Sequence, residues 1–394
     1  MAIETVDGPK RGPLLSDQRT RAILFQALAF FLVVVFFLYI GHNTARNLET
    51  LGVQTGFGFL DASAGYDIAI SLIPYESTDT HGRVFVVGLL NTLIVAISGI
   101  FAATILGVIL GVLRLTKNWL VGRLVYCYIE IVRNIPLLLQ ILFWYAFLIT
   151  LPHPKDSIDA FSNSVFLNKR GLYVPDPQFS DGAGLVLIAL IVALIAIPFI
   201  SKAARKRQEA TGQIFPVFST SFGLIVGLPL LAAIVTGFPV AFDYPSLQGF
   251  NFKGGMVLRP EFVALWFALT IYTASFIAEI VRAGIQAVSH GQTEAASSLG
   301  LKASWTTRLI ILPQALRVIV PPLTSQYLNL TKNSSLAIAI GYPDLVATFG
   351  GTSLNQTGQA IECILITMLV YLGISLLISM LMNYYNKRIA LVER

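Results

Sequence analysis

Glu294-Ala295-Ala296-Ser297-Ser298-Leu299-Gly300, followed after nine residues by Ile310-Ile311-Leu312-Pro313, is a short polar stretch set between long apolar runs. Ala295, Ala296 and Leu299 fall on one face of a short helix, at spacings of three and four. Gly300 stands where a left-handed helix end needs a residue without a Cβ. Ser304 is placed to cap a second helix starting at Trp305, and Pro313 is expected to kink that helix as it re-enters apolar sequence. The pattern predicts a compact helical knuckle at a membrane surface.

Working outward, the composition fixes the class. Of 394 residues, 55% are apolar and 12% charged, with a mean hydropathy of +0.73. Such a chain is a polytopic, all-α membrane protein with no room for a sizeable soluble domain between its spans. Cys127 and Cys363 both lie in apolar segments, which excludes a disulfide framework and makes them helix-packing residues. His42, His81, His153 and His290 are scattered without ligand spacing, so neither a metal site nor a nucleophile–base pair is suggested. No Gly-Lys dipeptide occurs, hence no phosphate loop of the Gly-x4-Gly-Lys-Ser/Thr type. Energy for any pumping must come from a partner, and nothing points to nucleic acid.

About eight spans are expected. The first is Ala22 to Ile40, after a basic tail read as part of a retained anchor. Gly41 to Arg83 reads as an exposed loop. The second span, about Val84 to Leu113, carries Gly99, Ala103, Gly107 and Gly111 at four-residue spacing, a stripe for close helix packing. The third covers about Leu124 to Ile149. A Pro- and Asp-rich loop from Thr150 to Asp181 leads to two further spans, about Gly184 to Ile200 and Val217 to Phe238, read as a peripheral hairpin packed on the core. The sixth is about Glu261 to Ile280, the seventh starts near Pro322, and the eighth covers about Ile361 to Tyr384.

Charge sets the orientation. Four Lys or Arg lie in the N-terminal tail, three in 114–123, four in 202–207, four in 282–317 and three at the C-terminus, eighteen in all against seven in the opposite loops. The asymmetry places both termini and the knuckle in the cytoplasm.

Ionisable groups inside spans are costly and therefore candidates for function. Arg133 and Asn134, with Glu130 one turn away, occupy the third span; Asn329, Lys332, Ser334 and Ser335 occupy the seventh. A substrate carboxylate at mid-membrane depth needs a fixed cation and nearby hydroxyls, which Lys332 with Ser334 and Ser335 supplies. Arg133 is paired by Glu130 in one reading and faces the pathway in the other.

The spacing Glu-Ala-Ala-x3-Gly-x9-Ile-x-Leu-Pro resembles the cytoplasmic coupling loop of permease subunits of bacterial ATP-binding-cassette importers, with all seven specified positions matched. Gly88 to Leu93, Arg133 to Gln140 and Lys332 to Ala337 look like segments of the polar amino-acid uptake subfamily. There the usual Arg-Gly-Thr-Pro reads Arg133-Asn134-Ile135-Pro136, and the usual Lys-Asp-Thr-Ser reads Lys332-Asn333-Ser334-Ser335. The resemblance implies a five-helix permease core in two parts, 84–150 and 260–394, the second holding a coupling loop over 284–320. Residues 1–83 add an N-terminal helix and periplasmic loop, and 151–259 an inserted hairpin. It further implies that Glu294, Ala295, Ala296, Leu299, Gly300, Ile310, Leu312 and Pro313 engage a separate ATPase that holds ATP and Mg, this chain binding no cofactor. The remaining implied partners are a second permease, a paralogue rather than a copy, and a periplasmic amino-acid-binding protein. The implied function is uptake of L-amino acids across a bacterial inner membrane, without enzymatic activity in this chain. An ion-coupled secondary transporter, which needs no ATPase, is the alternative; an intramembrane scaffold or enzyme is a third class that lacks catalytic constellations.

Overall fold

A computed structural model of the chain describes residues 18–50 and 55–389. The polar tail before residue 18 and Arg394, both counted above for orientation, lie outside the described residues.

The fold is organised around two long helices that approach closely. Helix α1 (Gln18–Thr50) stands exposed along its apolar length. Helix α2 (His81–Leu113) is capped by the Thr80 hydroxyl, which accepts from the Arg83 amide. Its glycine stripe is buried. A Cβ at Gly107 would stand 2.6 Å from Ile277 Cβ and 3.0 Å from the Ala274 carbonyl, and one at Gly111 would stand 2.7 Å from the Ala278 carbonyl. Those partners belong to α7 (Pro260–Gln286), so the small residues read in the sequence as a packing stripe are what lets the two backbones meet.

The third span differs from expectation. It is two helices, α3 (Trp119–Asn134) and α4 (Leu137–Ile149), bent by 104°. Pro136 lacks an amide hydrogen and forces Ile135 out of helical geometry, to φ −96° and ψ 129°. Gln140 donates to the freed carbonyls of Val132 and Ile135, each at 2.9 Å.

The insert holds the expected hairpin and more. Strands β1 (Ile158–Asp159), β2 (Phe166–Asn168), β3 (Gly171–Val174) and β4 (Asp176–Phe179) precede α5 (Ala183–Thr211) and α6 (Val217–Val235); β5 (Val240–Asp243), β6 (Ser246–Gln248), β7 (Asn251–Lys253) and β8 (Met256–Leu258) follow. They pair as an antiparallel sheet β1-β2-β3-β8, a two-stranded antiparallel sheet β4-β5 that closes the base of the α5–α6 pair, and a hairpin β6-β7. The sequence read these stretches as loops because strands of two to four residues are shorter than any periodicity window. Helices α5 and α6 pack chiefly on each other and bury almost none of their own apolar surface in the core; β3 makes the contact with α7.

Beyond α7 come α8 (His290–Ser298), α9 (Ala303–Thr306), a π turn over Thr307–Ile311, and α10 (Leu312–Asn333). A 3-10 helix over Ser334–Ile340, the short α11 (Leu345–Ala347), a second π turn over Thr348–Ser353 and α12 (Leu354–Thr357) lead to α13 (Ala360–Ile389). Six described helices are long and apolar enough to span a bilayer, and the bent pair makes seven. The expected seventh span, starting near Pro322, falls short because α10 carries Pro313, Pro321, Pro322, Arg317, Asn329 and Lys332 in one helix, whereas the expected eighth is present as α13.

The stretch 55–80, read as an exposed loop, is instead strapped to the second π turn. Tyr66 and His81 both share hydrogen bonds with the Ser353 hydroxyl, at 2.9 and 2.8 Å. Burial there pushes the Tyr66 phenol up to about 12. Cys363 is buried beside Phe349, as expected of a packing residue, whereas Cys127 is exposed.

The α2–α7 contact leads to a stability prediction. Gly107→Leu is expected to destabilise the purified protein by about 1–3 kcal/mol or more, since neither Ile277 nor the Ala274 carbonyl has room to retreat. Thermal unfolding in detergent measures it; an unchanged midpoint would contradict the packing described.

Candidate functional site

The knuckle forms as the glycine requires. Gly300 adopts φ +73°. The Leu301 amide donates to the Ala296 carbonyl at 3.1 Å and the Gly300 amide to that of Ser297 at 2.9 Å, the paired bonds of a Schellman ending. The expected single face does not hold together, because the adjacent Ala295 and Ala296 stand about 100° apart around the helix and Leu299 lies just past its last turn. Ala296 alone is buried; Ala295 and Glu294 are exposed, and Leu299 is 80% exposed at the tip. Glu294 meets His290 Nδ1 at 3.0 Å, both in solvent.

Two local expectations are corrected. Ser304 caps nothing: α9 starts two residues earlier than expected, at Ala303, with Lys302 in the capping position and no side-chain bond. Pro313 does not kink a running helix but sits in the first turn of α10, after the π turn. Its missing amide hydrogen leaves the Leu309 carbonyl without its usual donor, and the Leu312 amide bonds back to Thr307, one residue further than in an α-helix. Ile310 is half-buried on that turn, while Leu312 and Pro313 are exposed.

Ionic contacts fix where the knuckle leaves the bundle. Glu279 of α7 takes Arg114 from the end of α2 and Arg282 one turn on, the latter through Nε at 3.2 Å. Gln314 donates to Gln292 at 3.3 Å, tying α10 to α8, and Arg317 donates to the Ile389 carbonyl, tying α10 to α13. The sequence offered Glu279 and Arg282 at helical spacing, but only the α2–α7 approach brings Arg114 to Glu279.

The intramembrane polar residues do not form one cluster. Arg133 is not paired with Glu130; it lies over the Phe276 ring at 4.9 Å, and the Glu130 carbonyl accepts from Asn134 at 2.7 Å. Lys332 and the neighbouring Asn329 are exposed, as a shared helix face requires. Lys332 has no carboxylate within ion-pair distance among the described residues. It lines a cavity of about 460 Å³ with Ser335, Thr367, Tyr371 and Ser375. Ser334 departs from the expected polar face: the chain tightens to a 3-10 helix there, turning the hydroxyl inward to the Thr331 carbonyl at 2.8 Å. Sequence reasoning missed the neighbouring buried set. Asn91 donates to the Ile70 and Pro343 carbonyls, Thr92 accepts from the Leu345 amide, and the fully buried Asp344 caps α11 and accepts from Tyr371. The polar pair Asn91-Thr92 inside an apolar run was the signal available. No group of His, Cys, Asp and Glu suited to a metal occurs among the described residues.

A family model described as "Binding-protein-dependent transport system inner membrane component" matches residues 103–391, which include the knuckle and the contact of Gly107 and Gly111 with α7. The chain belongs to this family. General L-amino acid transport system permease protein AapQ of Rhizobium johnstonii is 53% identical over 379 residues, covering 96% of this chain and 94% of that protein. Putative amino-acid ABC transporter permease protein YhdX of Escherichia coli is 55% identical over 380 residues, 96% of each. Glutamate/glutamine/aspartate/asparagine transport system permease protein BztB of Rhodobacter capsulatus is 48% identical over 423 residues, 98% of this chain and 99% of that one. A crystal structure of an amino acid ABC transporter with histidines aligns at a TM-score of 0.45 and 20% identity, over 78% of this chain and 95% of that chain.

Proposed function

We propose that the chain is the transmembrane permease subunit of an ATP-driven, binding-protein-dependent importer of L-amino acids in a bacterial inner membrane. It works with cytoplasmic ATPase subunits that carry ATP and Mg, a second and paralogous permease, and a binding protein outside the membrane. Both termini and the knuckle lie in the cytoplasm on this reading. The relatives named above support the substrate class.

The observation that carries the proposal is the knuckle itself. A nine-residue helix ended by a left-handed glycine, with an 80% exposed leucine at its tip, has no reason to exist in a chain that acts alone. Burying that leucine in a groove on another subunit contributes about 1.5–3 kcal/mol. An ion-coupled carrier needs no such element, and no other feature favours that alternative. Glu294, Ala295, Leu299 and Gly300 form the docking surface, Ala296 is buried beneath it, and Ile310, Leu312 and Pro313 connect it to α10. Along the pathway, Lys332 with Ser335 is the carboxylate partner, and Asn329 extends the polar face. Arg133 and Asn134 stand at the bend between α3 and α4, where they are placed to follow its movement.

Gly300→Val is expected to cost about 1–2 kcal/mol in the knuckle, because a β-branched residue resists φ +73°. Uptake in proteoliposomes should fall at least tenfold while the chain still inserts; wild-type uptake with normal stimulation of ATP hydrolysis would refute the assignment. Lys332→Met is expected to abolish amino-acid uptake while leaving basal ATP hydrolysis of the assembled transporter intact. Undiminished uptake in that variant would remove Lys332 from the pathway.

A further inference from the structure

At the end of the bundle opposite the knuckle, a cavity of about 480 Å³ lies between the β2–β3 turn, β8 and the start of α7. Lys169 and Arg170 from the turn, Arg259 just before α7, and Glu261 in its first turn line it. The turn has little freedom. Asn168 pairs with Gly171 in the ladder, and Gly171, at φ +127°, has no space for a Cβ beside the Leu258 carbonyl. Its two cations are therefore held at the opening by backbone.

The charges at this cavity are unmatched. Arg170 donates to Asn251 Oδ1, and Lys169 Nζ lies 3.4 Å from His153 Nε2. None of Lys169, Arg170 and Arg259 reaches a carboxylate within ion-pair distance among the described residues. Glu261 Oε1 lies 3.4 Å from the Tyr145 hydroxyl, while its Oε2 is buried without a hydrogen-bond partner. A carboxylate oxygen taken out of water needs a donor. The N-terminus of the 27-residue helix α7 at the cavity wall adds positive potential. Three cations and one glutamate thus line one space.

We propose that this cavity receives an acidic amino acid, L-glutamate or L-aspartate, on its way into the membrane pathway. Arg259, Arg170 and Lys169 take the two carboxylates, and the Glu261 carboxylate takes the ammonium. The charges decide the class: the lining is net positive by two, a dicarboxylic amino acid brings two carboxylates and one ammonium, and a neutral amino acid leaves one more cation uncompensated. The cavity is separate from the one at Lys332 and is built largely by the insert. The proposal rests on the amino-acid import reading and adds to it a preferred substrate class and a place of entry.

The test uses the complete transporter in lipid nanodiscs without its binding protein, measuring equilibrium binding of tritiated L-glutamate and L-glutamine. Saturable glutamate binding, tighter than that of glutamine, is expected. Arg259→Gln should weaken glutamate binding at least tenfold and shrink the preference over glutamine, a fold-change in reach of one charge-assisted contact; Arg259→Lys should restore part of it. Arg170→Gln, on an exposed turn, carries the same expectation should Arg259→Gln fail to assemble. Absent glutamate binding, binding insensitive to both substitutions, or equal losses for the two amino acids would each overturn the proposal. ATP-driven uptake by the same preparation with binding protein added separates the two levels. Uptake without glutamate binding overturns the cavity alone, whereas no uptake of any amino acid overturns the import reading and the cavity with it.

Discussion

Backbone-to-backbone approach of α2 and α7 is the constraint on which the other parts depend. In a bilayer the tails are as apolar as leucine, so helices gain little from hydrophobic burial and associate through close packing. Gly107 and Gly111 permit that packing against Ala274, Ile277 and Ala278. Once the two helices are in register, each end acquires a function. At one end Arg114 and Arg282 both reach Glu279, fixing the direction in which α7 passes into the knuckle. Towards the other end, Asn91 and Thr92 of α2 hold the segment from Tyr342 to Leu345 against it. In the proposed importer this packed pair is the route by which movement of the knuckle reaches the rest of the bundle.

The knuckle combines firm attachment with an unfinished surface. Ala296 and the Schellman bonds secure it, Gln292 and Gln314 link it to α10, and Leu299 projects into solvent. A π turn marks the junction with α10 just before Pro313, a feature that recurs at functional sites in helices. Such a design suits an element that receives force from a partner and passes it on.

Much of this was legible in the sequence, for identifiable reasons. Gly300 announced a left-handed ending because few other residues tolerate it, and the glycine stripe announced a close helix contact because its four-residue period matches one helix face. The bend at Pro136 was equally legible but was read through, because hydropathy treats Ile135-Pro136-Leu137 as continuous apolar sequence. Local pattern did not reveal Ser334 facing inward, since a change to 3-10 geometry rotates a side chain without altering composition. Nor did it reveal the mouth cavity, where Lys169 and Arg259 lie ninety residues apart in the chain and meet only through the β3–β8 pairing. The strands themselves were too short to signal.

The central claim is that this chain transports only when an ATPase docks on the knuckle. The most direct measurement is uptake of L-amino acids into proteoliposomes holding the purified chain with its second permease, with and without the ATPase subunits, ATP being enclosed and binding protein added outside. The account predicts no uptake without the ATPase, and ATP-dependent uptake with it that is lost when Leu299 is replaced by Asp. Accumulation driven by an ion gradient in the absence of any ATPase would contradict it.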